Sequence, residues 1–246
     1  MIKRILAKSS EQKHVRYLAK ETENYRSLWK SCKGLFTANL GHYTNDVATP
    51  TSLAFAAFCA THFGACEVGS VRFLDVGCGN GRNGIAFAKK GYSCMGVDIA
   101  PEAIAIAKTN AARHSVIMDF GSGDFLASDV DVGVFDIVFD SGCFHHLRKS
   151  EWELYVSALL SRTHVGSVFF LMVFSTQSRY FPGAMNEVQK YSERNWTLRN
   201  GHYSHFFTRA EVEDVFGKSF RVLHYEESGA EGTRGLVFHV FYMERM

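Results

Sequence analysis

Short apolar runs alternate with stretches of helical period along most of this chain. Val71–Val76 reads as a buried strand of about six residues, β-branched at its ends. A turn with Gly77, Gly79 and Gly81 follows, then a helical run from Ile85 to Lys90 that closes at Gly91. Tyr92–Val97 predicts a second strand, and Pro101 suits the first turn of a helix over Glu102–Arg113. Ser115–Phe120 and Val134–Phe139 predict the third and fourth strands, the fourth apolar enough to be central. A helix begins at Lys149 or Ser150 and carries Trp152, Tyr155, Leu159 and Leu160; Ser167–Phe174 is the fifth strand. A helix over Arg209–Phe216 precedes a last strand pair, Phe220–Glu226 and Gly235–Met243. Strand and helix in alternation predict an α/β, doubly wound, mostly parallel seven-stranded sheet of Rossmann-like type with its last strand antiparallel.

Two segments stand outside this alternation. Glu11–Cys32 reads as a helix, its stripe formed by Val15, Leu18, Ala19, Thr22, Tyr25, Leu28 and Trp29, with Gly34 as the stop. Thr51 or Ser52 is placed to cap a second helix running to about Phe63. Residues 1–66 are therefore expected to form a helical lid and residues 67–246 the core. Within the core, about thirty residues at 176–207 lack a clear period but hold Tyr180, Tyr191, Trp196, His202, Tyr203, His205, Phe206 and Phe207. A loop of that length is usually functional or disordered, and its aromatic content argues against disorder. It is expected to be a second, substrate-facing lid.

Composition removes several function classes. The 246 residues carry a net charge of +2, without the basic face of a nucleic-acid binder. Basic residues gather only at the front, from Lys3 to Lys33, which reads as a solvated helix face. Met1–Arg4 is basic, but Lys8 interrupts the apolar run that follows after only a few residues, so no secretory signal is expected, and Leu53–Ala60 is too short to span a bilayer. The six cysteines include no Cys-x-x-Cys pair, which points to reduced thiols in the cytoplasm and to no zinc site.

The glycine turn carries the chemistry. Gly79-x-Gly81-x-x-Gly84 fits the dinucleotide pattern by letter, with Asp98 at a distance to hold a ribose. Asp75, two residues before the first glycine, would repel a pyrophosphate but suits a cationic ligand. An acid followed by Gly-x-Gly-x-Gly, here Asp75, Gly77, Gly79 and Gly81, resembles the first motif of the class I methyltransferases that use S-adenosylmethionine (SAM). The resemblance covers about residues 71–174 and implies SAM as cofactor. It further implies that Asp75, Gly77, Cys78, Gly79 and Gly81 hold the amino-acid end of the cofactor. Asp98 would take the ribose hydroxyls, Ile99 the adenine face, Asp124 and Phe125 the adenine amino group and ring, and Asp140 the place where methyl and acceptor meet. These acids fall at successive strand ends, where an open parallel sheet binds its ligands. Residues 135–147, Tyr155 and Val168–Ser175 are similar to the thiopurine methyltransferase and tellurite-resistance branch, which acts on small molecules. The chain departs from that branch where His164-Val-Gly-Ser167 replaces the usual Pro-Gly-Gly.

A methyl transfer to an amine, hydroxyl or thiol needs alignment and a place for one proton. His145 and His146 are the candidate bases; being adjacent, only one is expected to face the site. Tyr180, His202, Tyr203 and His205 are candidate substrate contacts, while Cys78 and Cys143 read as small packing residues. The expected activity is transfer to a small-molecule S, N or O nucleophile, with no nucleic-acid or membrane partner and no metal. A nicotinamide-dependent oxidoreductase and a non-catalytic SAM-fold partner subunit are the competing readings, and a protein or RNA methyltransferase is a further one.

Overall fold

The structure, a computed structural model, describes residues 22–30, 46–64, 66–127, 133–178, 188–192, 195–198, 203–229 and 236–246. Residues 22–30 are helical (α1), followed by α2 (Pro50–His62), β1 (Arg72–Val76), α3 (Arg82–Ala88), β2 (Ser93–Asp98) and α4 (Pro101–Arg113). Then come β3 (Asp119–Ser122), β4 (Phe135–Ser141), α5 (Trp152–Ser161) and β5 (Thr163–Phe174). Three short strands, β6 (Val188–Ser192), β7 (Asn195–Leu198) and β8 (Tyr203–His205), lead to α6 (Arg209–Phe216), β9 (Phe220–Ser228) and β10 (Phe238–Arg245).

The main sheet has seven strands in the order β3-β2-β1-β4-β5-β10-β9. β10 pairs antiparallel with both β5 and β9, and the other pairings are parallel. The strand order reverses between β1 and β4, which opens the ligand crevice at their carboxyl ends. The expected fold is the observed one, with β4 in the middle. Alternate residues of the central strands feed two cores. Leu74, Val76, Val138, Phe169 and Leu171 pack under α5 and α6, with Tyr155 and Phe216. Phe73, Ile137, Phe139, Val168 and Phe170 pack under α2 and α3, with Phe55 and Phe87. Burial on both faces is what the continuous apolar runs demand.

Three local features differ from the sequence reading. Thr49, not Thr51 or Ser52, caps α2: its side chain accepts from the Ser52 N–H, and Pro50 takes the first helical position. β3 starts at Asp119, later than expected; as an edge strand it lacks a second neighbour to extend its ladder. The aromatic insert is not structureless, since β6, β7 and β8 form an antiparallel sheet of their own. Of the expected first helix, residues 22–30 are described; its remainder, Gly34, Tyr180 and His202 lie outside the described residues.

Candidate active site

Gly77, Gly79 and Gly81 all have positive φ, of 65°, 56° and 79°. The turn is thus a left-handed path that other residues rarely follow. Its two carboxylate anchors come from β1 and β2. Asp75 Oδ2 accepts the N–H of Gly84 at 3.1 Å, tying the strand to the first turn of α3. Asp98 Oδ2 accepts the N–H of Gly79 at 2.9 Å and its Oδ1 that of Ala100 at 2.9 Å. Each Asp98 oxygen keeps a second lone pair, which fits two vicinal ribose hydroxyls. Ile99 lies half-buried beside it.

Asp140, fully buried at the end of β4, is saturated. Its Oδ1 accepts from Gly142, Cys143 and Phe144 N–H groups, and its Oδ2 accepts from Phe144 and from the Tyr155 hydroxyl at 2.6 Å. The acid expected beside the reacting atoms is therefore a clamp on the turn that carries His145 and His146. Asp124 Oδ1 accepts the Leu126 N–H at 2.9 Å, and its half-buried side chain stands by the rim. The Phe125 ring turns away from an adenine seat: it packs on Tyr155 at 5.3 Å and beneath the Arg162 guanidinium at 4.9 Å, leaving only its backbone for a ligand.

The electrostatics are those of acids short of a counter-charge. Burial pushes Asp75 up to about 8; the Gly84 N–H opposes this, Asp140 and Asp98 add to it, and Arg82 pulls the other way. Burial raises Asp98 to about 6 against its two backbone hydrogen bonds. Burial also raises Asp140 to about 6, against the Tyr155 hydroxyl and the backbone N–H groups. Among the described residues, no lysine or arginine forms a salt bridge with any of the three. A ligand bearing positive charge fits this set better than one bearing phosphates. The two thiols of the site are held in the protonated form. Burial drives Cys78 and Cys143 well above the usual thiol range. Cys143 fills the space that a side chain at Gly77 would need, with its Cβ 2.8 Å from where that Cβ would sit.

The two histidines divide as adjacency requires. His145 is buried and stacks on Phe174 with ring centroids 3.9 Å apart. Burial holds it well below the ordinary histidine value, with His146 and His205 adding to the effect, and its Nδ1 has no hydrogen-bond partner. His146 is half-buried, and its Nδ1 lies 2.8 Å from the Tyr203 carbonyl and 3.2 Å from Ser204 Oγ. A carbonyl only accepts, so Nδ1 carries a proton, and in the neutral ring Nε2 holds the lone pair. Tyr203 thus contributes through its backbone, its ring lying under the Arg148 guanidinium at 4.6 Å. His205 belongs to the interior: its ring meets Trp152 and Phe207, and Nε2 stands 3.2 Å from Glu211 Oε2. It is a buried structural pair, not an open substrate contact. Two contacts were missed by the sequence reading: Tyr25 on His146 and Phe174 under His145. The signal for the first was the four-residue spacing of Tyr25 and Trp29.

A positive-φ glycine turn between buried acids, at the switch point of this strand order, defines an α/β domain built for a cationic nucleoside. Residues 73–164 match the family described as a methyltransferase domain. An uncharacterised methyltransferase of Schizosaccharomyces pombe is 40% identical over 111 residues, covering 44% of this chain and 75% of the relative. The ajmaline N-methyltransferase of Rauvolfia serpentina is 38% identical over 81 residues, 32% of this chain and 28% of that one. Among solved structures, the 1,6-didemethyltoxoflavin N1-methyltransferase of Burkholderia thailandensis, with 1,6-didemethyltoxoflavin and S-adenosylhomocysteine bound, superposes with a TM-score of 0.69. It is 18% identical, and the match covers 94% of this chain and 89% of that one. The chain belongs to the class I SAM-dependent methyltransferases. These similarities do not single out the thiopurine and tellurite-resistance branch. No helix of the described residues is long and apolar enough to cross a membrane.

Proposed function

We propose that the chain methylates a small-molecule S, N or O nucleophile, with Asp98 on the cofactor ribose and His146 as the general base. The observation that carries this reading is the trio of buried acids, Asp75, Asp98 and Asp140, without a salt bridge among the described residues. A nicotinamide pyrophosphate is disfavoured beside them. When bound, SAM supplies an electrophilic methyl on a sulfonium, so the leaving group needs no acid. The residues of this chain then hold the partners in line, keep water out and take one proton. Alignment of this kind is worth roughly 7–11 kcal/mol of barrier.

His146 Nε2 receives the proton of the acceptor X–H as its lone pair forms the new bond to carbon. The Tyr203 carbonyl, held by the Nδ1–H, keeps the ring oriented and steadies the charge that results. His145, held neutral by burial, backs the site through its stack on Phe174. Asp140 and Tyr155 fix the turn that presents the His146 ring. The names of relatives that act on ajmaline and on 1,6-didemethyltoxoflavin support a small-molecule acceptor.

Calorimetric titration with SAM, with S-adenosylhomocysteine and with NADH tests the reading. SAM and S-adenosylhomocysteine are expected to bind and NADH to leave the protein unchanged. Binding of NADH alone would overturn it in favour of the oxidoreductase.

A further inference from the structure

The bare Cα of Gly79, which leaves room for a ligand, is not bare of neighbours. A Cβ built there would lie 2.9 Å from Trp29 Cζ2 and 3.1 Å from Cη2. The Trp29 side chain comes from α1, is 5% exposed, and packs with Ala100 and Ala103 just beyond Asp98. One turn earlier, Tyr25 sets its ring 5.8 Å from that of His146, at 67°. Arg26 and Lys30, also one turn apart, both reach Glu102 in the first turn of α4. Arg26 Nη2 is 3.2 Å and Lys30 Nζ 3.8 Å from Glu102 Oε1. A single helix face thus runs from the cofactor turn to the candidate base, and a second, charged face anchors it four residues past Asp98. Residues four apart lie on one face of a helix, about 5–6 Å between their Cβ atoms.

We propose that Trp29 and Tyr25 are positioning residues of the methyl transfer: α1 senses the cofactor through Trp29 at Gly79 and sets the His146 ring through Tyr25. The inference rests on the proposed function, because it takes His146 as the base. A nucleoside lying along the glycine turn must meet the indole, since the indole is already against the turn. Any displacement or tightening there is carried one helical turn to Tyr25. The Tyr203 carbonyl and Ser204 hold His146 at Nδ1, His145 and Phe174 stand against its ring, and Tyr25 forms the wall that a shift of the helix would move. Acceptor deprotonation is then coupled to a filled cofactor seat, and the expected order of binding is SAM first.

The test uses the full chain labelled with nitrogen-15 at histidine, with SAM as the probe. Calorimetry gives affinity, and NMR follows the His146 ring signals, assigned by comparison with His146→Gln. In the wild type, saturating SAM shifts those signals. Trp29→Ala should bind SAM about tenfold more weakly, the order expected for losing one aromatic contact. At saturating SAM it should no longer shift His146. Trp29→Phe, which keeps an aromatic ring, should restore most of the shift. Tyr25→Ala should still bind SAM but lose the shift. Thermal unfolding confirms that each variant is folded. If His146 moves in Trp29→Ala or Tyr25→Ala as it does in the wild type, the inference fails alone. A wild type that ignored millimolar SAM would remove the proposed function and this inference together.

Discussion

Asp98 does two jobs with one carboxylate, and they can be separated. It fixes the turn by accepting from Gly79 and Ala100, and under the proposed function it also accepts from the ribose. Asp98→Asn keeps one oxygen acceptor but replaces the other with a donor and removes the charge. SAM affinity should fall about tenfold or more, since hydrogen bonds to a charged group are worth roughly 1.5–3 kcal/mol; calorimetry on the folded variant would show it. His146→Gln is expected to lower turnover about 100-fold or more while SAM affinity changes little, the mark of a lost general base. Single-turnover assays against a panel of small heteroaromatic amines and thiols provide the readout. Equal losses in both quantities would make His146 structural. Tyr155→Phe removes the 2.6 Å bond to Asp140. It should cost about 1.5–3 kcal/mol in chemical denaturation. At this scale the acids were legible as a set but not by role. A sequence marks Asp140 as a strand-end acid, yet says nothing of the three N–H groups and the hydroxyl that fold back onto it.

At the scale of elements, β1 and the glycine turn were legible because the local demand is strong: left-handed backbone at three alternate positions strongly favours glycine at each. The cap of α2 was not, because Thr49, Thr51 and Ser52 are all competent; Pro50, fixed at the first helical position, decides for Thr49. The insert was misread as a loop because its strands draw their order from one another. Strand propensity reflects cross-strand neighbours more than the residue itself, so short strands in a small separate sheet leave a weak pattern. β8 then matters to function through its backbone, a contribution that no side-chain pattern announces. The glycine turn also yields a prediction about α1. Gly79→Ala combines a φ of 56° with a Cβ only 2.9 Å from the Trp29 ring. The strained backbone alone costs about 1–2 kcal/mol, and the indole must also give way. Denaturation should show that loss, and trypsin should cut faster at Arg26 and Lys30 as α1 loosens from the turn. Unchanged cleavage would mean that the contact at Gly79 does not hold the helix.

For the whole molecule, the buried acids tie stability and cofactor binding to pH with opposite signs. Asp75, Asp98 and Asp140 are each raised above the ordinary value near 3.8, to about 8, 6 and 6. The folded chain therefore holds these protons more tightly than the unfolded chain does. The stabilisation from this cluster is complete below the unfolded value and is lost as pH rises through 6 and toward 8. A bound sulfonium and ammonium reverse the balance, since they favour the ionised carboxylates and make binding release protons. Each proton released strengthens binding by up to about tenfold per pH unit. Thermal unfolding at about pH 5 and about pH 6.5, a unit or more below the α-amino value near 7.7–8.0, separates the two effects. The cofactor-free protein should gain less from these acids at the higher pH, while the upward shift in Tm produced by SAM should be larger there. S-adenosylhomocysteine, which lacks the sulfonium charge, should show a weaker pH dependence than SAM, and Asp98→Asn should flatten the response to both. A SAM-induced shift as large at the lower pH would mean that the acids keep their protons in the complex, and the charge-matching argument for the cofactor would fall with it.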